Sequence, residues 1–258
     1  MESAAGHLPR VDILGLKVHC IDMARALDAI RDFVASGRPH MVVTADSSMV
    51  VLARHDEDFR ALVNSADLVT PDSSGILLAA KLLGRPIKER VSGCDLSRQI
   101  CRAAAEDGFS VYLLGAGPGV AEEAARKLRE EFTGLEIAGT HHGYFDRSQE
   151  SEIAARVRSS GARVLLVGMG IPRQERFIRD HLEELGVGVA MGVGGTLDVL
   201  SGRVKRAPVW MQRHGLEWLH RLAVNPRKFP KVATLPRFLG MVLLEKLRSR
   251  KFTSENSE

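Results

Sequence analysis

The 258-residue sequence predicts an α/β fold: a mainly parallel sheet flanked by helices, with a basic helical C-terminal appendage. Three observations predict it. Five short apolar runs alternate with segments of helical periodicity, the pattern of buried parallel strands joined by crossover helices. Each run is followed by a glycine-rich or polar loop. Charge is also partitioned along the chain. Residues 203–251 hold thirteen Lys/Arg and two acids, Glu217 and Glu245, for a formal +11, while the remainder carries −7. The chain therefore divides into a core over 1–202 and an appendage over 203–258.

The elements follow in order. The strands are Met41–Thr44, Asp67–Thr70, Ser110–Leu114, Arg163–Val167 and Val187–Met191. Asp22 caps a helix whose apolar residues Met23, Ala26, Leu27, Ile30, Phe33 and Val34 recur near 3.6 residues. Pro118 takes the first helical position before VAEEAARKLREEF. Asp146 and Gln149 form a capping box ahead of Ile153–Val157. Pro172 opens RQERFIRDHLEEL, with Phe177, Ile178, Leu182 and Leu185 on one stripe. In the appendage, Met211, Gly215, Trp218, Leu219 and Leu222 share one face of a helix bracketed by Pro208 and Pro226. LPRFLGMVLLEKLRSRK joins an apolar stripe to a basic face, the makings of an interfacial helix.

Composition excludes several classes. Hydrophobic residues at 45% supply a core, and aromatics are scarce at 5%. Cys20, Cys94 and Cys101 show no CxxC spacing, which fits reduced thiols in a cytosolic protein. MESAAGHLPRVD lacks the apolar region of a secretory signal. No apolar run approaches the roughly 20 residues that span a bilayer. An acidic body with a basic tail points to a polyanionic partner: an anionic membrane, a pyrophosphate or nucleic acid.

The chemistry-bearing residues share one position. Thr44, Asp72, Gly115–Gly119, Gly168–Gly170 and Gly192–Gly195 each follow a strand, and open α/β sheets bind ligands outside the carboxyl ends of their strands. GAGPG at 115–119 lies between strand and helix in the Rossmann-like manner, without GxGxxG spacing or an acidic partner. GMGIPRQE at 168–175 brings backbone N–H groups and a helix start toward a ligand, and Gln174 stands ready to donate to a sugar or phosphate oxygen. In PDSSG, Asp72, Ser73 or Ser74 either caps the following helix or, for Asp72, serves as a general base, ionised at neutral pH. HDEDF at 55–59 contains a DxD pattern but reads as a solvated face, and His141 and His142 are adjacent. We expect no protein-bound metal and no cofactor.

Assembled in order, ILGLKV, VVTAD, ADLVTPDSSG, ERVSGCDL, VYLLGAGPG, GTHHGYF, VGMGIPRQE, GVGGTLDVLSGRVKRAP and GLEWLHRL resemble the bacterial WecG/TagA/CpsF glycosyltransferases. The resemblance runs from about Ile13 to Arg237. It implies inverting, metal-independent transfer of N-acetylmannosamine or a related sugar from a UDP-sugar. The acceptor it implies is a lipid-diphosphate-linked N-acetylglucosamine. It also implies roles. Asp72 is the base, and Thr44, Gln174 and Arg221 are catalytic partners. Beside these, our own reading of the loops and the tail assigns substrate binding to Asp46, Ser73, Gly115, Gly117, Gly168, Gly170, Gly194, Gly195, Asp198, Arg206 and Arg227.

This chain departs from the family at two points. Ser73 stands where Gly is usual and is strained if the position needs φ > 0. Asp46 stands where Asn is usual, placing an extra carboxylate near the donor. The implied protein is a homo-oligomer, cytoplasmic and peripheral on the inner face of the membrane. Its appendage closes the site and meets anionic lipid, with no nucleic-acid partner. A nucleotide-dependent oxidoreductase and a non-enzymatic membrane or nucleic-acid adaptor remain the alternative classes.

Overall fold

The computed structural model describes residues 8–224 and 234–255. A six-stranded sheet forms its centre, built from β3 (His40–Ala45), β4 (Leu68–Pro71), β5 (Val111–Gly115), β6 (Ile137–His141), β7 (Val164–Gly168) and β8 (Val189–Gly192). The spatial order is β4-β3-β8-β7-β5-β6, and every pairing is parallel. The register aligns Thr44 with Thr70, Val43 and Val167 with Gly192, and Gly115 with Gly168. The polar and glycine-rich loops therefore leave the sheet at one level.

Strands β3, β4, β5, β7 and β8 are buried along their whole length, which is why an apolar run marks the centre of each. The sixth strand, β6, lies at an edge and is mostly half-buried. Its sequence, IAGTH, has no such run. The ring of Tyr112 covers Gly139, where a Cβ would stand 2.5 Å from Tyr112 Cε2. A separate antiparallel hairpin, β1 (Arg10–Ile13) and β2 (Leu16–His19), precedes the sheet. It turns through Leu14 (φ 55°) and Gly15 (φ 96°), both left-handed as a two-residue hairpin turn of this twist requires. His19 on β2 is buried. Arg10 Nε donates to its Nε2 at 2.9 Å, and burial first, then the Arg10 charge, lowers its pKa to about 4.

Helices cover both faces. One face carries α2 (Ser47–Ala53), α3 (Glu57–Ser65), α4 (Ser74–Leu82), α7 (Glu150–Ser159) and α8 (Arg173–His181), and the other carries α1 (Met23–Ala35), α5 (Gly93–Asp107), α6 (Val120–Glu131) and α9 (Thr196–Leu200). Adjacent strands thus send their chains to opposite faces: β3 leads to α2, and its neighbour β8 leads to α9. The divergence opens a cleft at the carboxyl edge.

The caps match the sequence reading in part. Asp22 accepts the Arg25 N–H at 2.8 Å. Gln149 Oε1 accepts the Asp146 N–H at 2.9 Å, within a short 3-10 turn over Arg147–Gln149 that runs into α7. Pro118 does not occupy the first helical position: Gly119, left-handed at φ 75°, is the cap of α6, and the helix begins at Val120. Pro172 is the cap of α8, which ends at His181; residues 182–185 form a turn. Asp56 caps α3 and Asp58 pairs with Arg179, so the DxD residues hold helices together.

The appendage contains α10 (Val209–Arg213), α11 (Glu217–Val224) and α12 (Thr234–Glu255). The single helix expected between Pro208 and Pro226 is broken, because Gly215 adopts φ 72° between α10 and α11. Helix α12 packs on α2 and α4, and its Phe238 and Val242 are fully buried in the same core cluster as β3 and α8. Burying two such side chains contributes about 1.5–3 kcal/mol each.

Candidate active site

Asp72 follows β4 and is held at two atoms. Its N–H donates to Ala45 O at 3.0 Å, and its Oδ1 accepts the Gly93 N–H at 2.9 Å. It does not cap α4. Ser73 does, accepting the Ile76 N–H at 3.3 Å on Oγ, which also accepts the Ser47 N–H at 3.3 Å. Ser73 has φ −109°, an ordinary extended backbone, so the expected strain is absent and its hydroxyl ties β3's loop to α4's start.

Thr44 lies beside this carboxylate. Its Oγ1 donates to Gly192 O at 2.9 Å across the β3/β8 divergence. A Cβ on Gly93 would stand 3.1 Å from Thr44 Cγ2, so Thr44, Gly93 and Asp72 form one packed unit. Asp46 caps α2, its Oδ1 accepting the Met49 N–H at 2.9 Å and the Ser48 hydroxyl at 2.6 Å. These bonds, at the start of a helix, stabilise the carboxylate that stands where Asn is usual.

Gln174 is buried. Its Oε1 accepts the N–H of Gly170 at 3.1 Å and of Gly194 at 2.9 Å, and its Nε2 donates to Glu175 Oε1 at 2.7 Å. It therefore staples the β7 and β8 loops rather than reaching out as the expected ligand donor. Two of the loop amides expected to cradle a diphosphate, those of Gly170 and Gly194, are bonded to it. Glycine is required at 115 and 168 by close approach: a Cβ on Gly115 would lie 2.4 Å from Gly168 O, and one on Gly168 would lie 2.8 Å from Gly194 O. Gly117 lies beside the exposed ring of Tyr144, whose loop is pinned by Arg173 donating to Gly143 O and Phe145 O. Gly195 is exposed at the start of α9, with half-buried Asp198 in its first turn.

Arg206 donates to both oxygens of Asp95, at 2.5 and 2.7 Å, and its Nε lies 3.4 Å from Glu217. Glu217 accepts from Arg90 at 2.5 Å. Burial opposes ionisation of Asp95, but the Arg206 hydrogen bonds and the Arg206 and Arg90 charges prevail, so its pKa falls below the usual range. The Asp95 hydrogen bond raises the Arg206 pKa in turn, against burial. Arg206 is thus engaged within the protein. Arg90 and Asp95 were not legible as site residues in the sequence, although both lie in the ERVSGCDL block. Arg221 stands one helical turn beyond Glu217 in α11, its side chain outside the described atoms, and Arg227 lies outside the described residues.

The appendage reaches the same place from above. A Cβ on Gly215 would stand 2.9 Å from Ser74 Cβ, and Leu235 Cδ1 would lie 3.5 Å from a Cβ on Gly75. Val209, Trp210, Trp218 and Leu219 are exposed around this contact, as are Leu243, Leu244 and Leu247 on α12. Among the described residues, no helix is long and apolar enough to cross a membrane.

A fixed carboxylate among glycine loops at the carboxyl edge of a parallel sheet fits a group-transfer enzyme acting on a phosphorylated donor. The class narrows on comparison. Residues 11–252 match the model of the Glycosyl transferase WecG/TagA/CpsF family, and the chain belongs to that family. It is a glycosyltransferase, which removes the oxidoreductase and adaptor readings. Among its relatives is an N-acetylglucosaminyldiphosphoundecaprenol N-acetyl-beta-D-mannosaminyltransferase of Bacillus spizizenii, 33% identical over 210 residues, 81% of each chain. A Staphylococcus aureus protein of the same name is 30% identical over 244 residues, 94% of this chain and 95% of its own.

Proposed function

We propose that this glycosyltransferase moves N-acetylmannosamine, or a closely related hexose, from a UDP-sugar to a polyprenyl-diphosphate-linked N-acetylglucosamine, in cell-surface polysaccharide synthesis. The relatives' names support the sugar and the acceptor, and the family supports the nucleotide donor.

In this reading the reaction is a single displacement with inversion, without a metal. The acceptor hydroxyl attacks the anomeric carbon as its proton passes to Asp72. The bond from that carbon to the β-phosphate oxygen breaks, and the electron pair leaves with UDP. Asp72 suits a base because the Gly93 N–H fixes one of its oxygens and Ser73 performs the capping it would otherwise do. Thr44 supports the Asp72 loop from behind, and Gln174 sets the spacing of the β7 and β8 loops. Arg221 is the arginine we assign to the leaving diphosphate, with Arg227 in support; Arg206 and Arg90 are held by Asp95 and Glu217.

The observation that carries the reading is the position of Asp72, level with the glycine loops, with the appendage in contact two residues on, at Ser74 and Gly215. The test is Asp72→Asn in a UDP-release assay with a lipid-linked N-acetylglucosamine analogue. Loss of general-base catalysis lowers kcat by about 10²–10⁴-fold, with the melting temperature retained; near-normal turnover removes Asp72 from the role.

We further propose that the enzyme works peripherally on the inner face of the membrane, as a homo-oligomer, with the basic appendage against anionic lipid. The exposed Trp210, Trp218 and Leu244 among its basic residues support that surface. Vesicle flotation with and without anionic lipid tests it, and sedimentation tests the assembly.

A further inference from the structure

Four charged side chains join the appendage to the core beside Asp72. Arg206 and Glu217 belong to the appendage; Asp95 and Arg90 belong to the core. They form a chain of alternating sign: Asp95, Arg206, Glu217, Arg90. Three ion pairs join them, and the Arg90 charge also reaches Asp95, so the four form a ring in their electrostatics. Net charge within it is zero, so the contact is specific and does not follow from the appendage's general positive charge.

Isolated exposed ion pairs contribute little. This set differs in two respects. Its side chains are only 15–39% exposed, and the Arg206–Asp95 pair is bidentate, the geometry in which arginine and carboxylate bind best. Removing one member leaves a partly buried charge without its partner, which is costly.

The location gives the ring its meaning. Asp95 is two residues beyond Gly93, in the first turn of α5, and the Gly93 N–H holds Asp72 Oδ1. Gly215, two residues before Glu217, rests on Ser74, two residues beyond Asp72. One side thus reaches Asp72 through two residues and a hydrogen bond, the other through two residues on each side of the Gly215–Ser74 contact. We infer that Asp95 and Glu217 are positioning residues. Their pairs with Arg206 and Arg90 seat the appendage and fix the first turn of α5, which keeps the Gly93 N–H on Asp72. The inference rests on the reading of Asp72 as the base.

The test uses the full-length protein with Asp95→Asn, Asp95→Glu and Glu217→Gln, each checked for a cooperative melt. Backbone hydrogen exchange is read at Gly93 and across 206–220, and kcat and donor KM are measured separately. Asp95→Asn and Glu217→Gln should speed exchange in both places by about tenfold or more. They should lower kcat by about 10- to 100-fold, since a small misplacement costs that much, with donor KM changed about twofold at most. Asp95→Glu should recover part of kcat. Unchanged exchange in both segments overturns the inference, and so does faster exchange with unchanged kcat. Asp72→Asn, run in parallel, separates the two readings. If it turns over normally, the kinetic half falls with the base assignment, and exchange alone judges the seating.

Discussion

Replacing Gln174 by leucine removes three hydrogen bonds with one substitution. Oε1 loses the Gly170 and Gly194 N–H groups, and the Glu175 carboxylate loses the Nε2 donor. Leucine has nearly the same bulk, so the cavity term is small and the polar term dominates. A buried donor deprived of its partner costs about 1–3 kcal/mol. The two loop amides lie at the cleft and recover part of that from water, so each is placed near the lower end. The buried Glu175 oxygen left without its Nε2 donor costs about 1–3 kcal/mol. The total is about 3–5 kcal/mol, a large part of the 5–15 kcal/mol typical of a domain. Urea unfolding followed by circular dichroism should show the midpoint falling with an unchanged slope. Turnover of the protein that remains folded should also fall, because the β7 and β8 loops lose their common tie. A loss below about 1 kcal/mol with normal turnover would refute the argument that this side chain sets the loop spacing.

Other expectations follow from single contacts. His19 has its pKa lowered to about 4 by burial, with Arg10 adding to the effect. The unfolded chain therefore binds a proton near pH 6.5 that the folded chain refuses until about pH 4. Stability should fall by about 3 kcal/mol as pH drops through that window; His19→Gln should flatten that part of the curve in denaturation at pH 7 and pH 4.5, and an unchanged slope would contradict the assignment. Ser73→Ala should cost about 1 kcal/mol through the lost α4 cap, while Ser73→Gly should cost only a few tenths. A thermal melt distinguishes them, and a stabilising Ser73→Gly would show that the extended backbone at 73 had been misjudged. Trp210→Ser combined with Leu244→Ser should weaken flotation on anionic vesicles and leave the melting temperature within about 2 °C, since both side chains are exposed; equal flotation would place the lipid surface elsewhere.

What the sequence disclosed depended on burial. The interior strands were legible because both faces are covered, which leaves apolar runs at the centres of β3, β5 and β7. Edge strand β6 pairs on one side and is half-buried, so IAGTH carried no run to read. The β1–β2 turn uses Leu14 and Gly15, where the hydrophobic Leu14 hid the turn. Asp72 was legible as a carboxylate after a strand, but which residue capped α4 was not, since Asp72, Ser73 and Ser74 are all good caps. Gln174 carried the right address and a different task, because its partners are backbone amides in two loops separated in sequence. Arg90 and Asp95 meet partners 127 and 111 residues away, and no local spacing announces such pairs. Gly215 sat on an apparently continuous helical face, and its left-handed backbone, packed against Ser74, is a tertiary feature that the periodicity did not show.

Helix α12 is anchored inward by Phe238 and Val242 and shows Leu243, Leu244 and Leu247 outward. Val242 and Leu243 are neighbours, so the inward and outward rows differ only in helical phase. One residue inserted after Val242 would leave the anchor in place and swing the outward row by about 100°. The angle at which the cleft faces whatever lies beyond Leu244 is thus written in a residue count, and a single-codon insertion would re-aim the enzyme without loosening it.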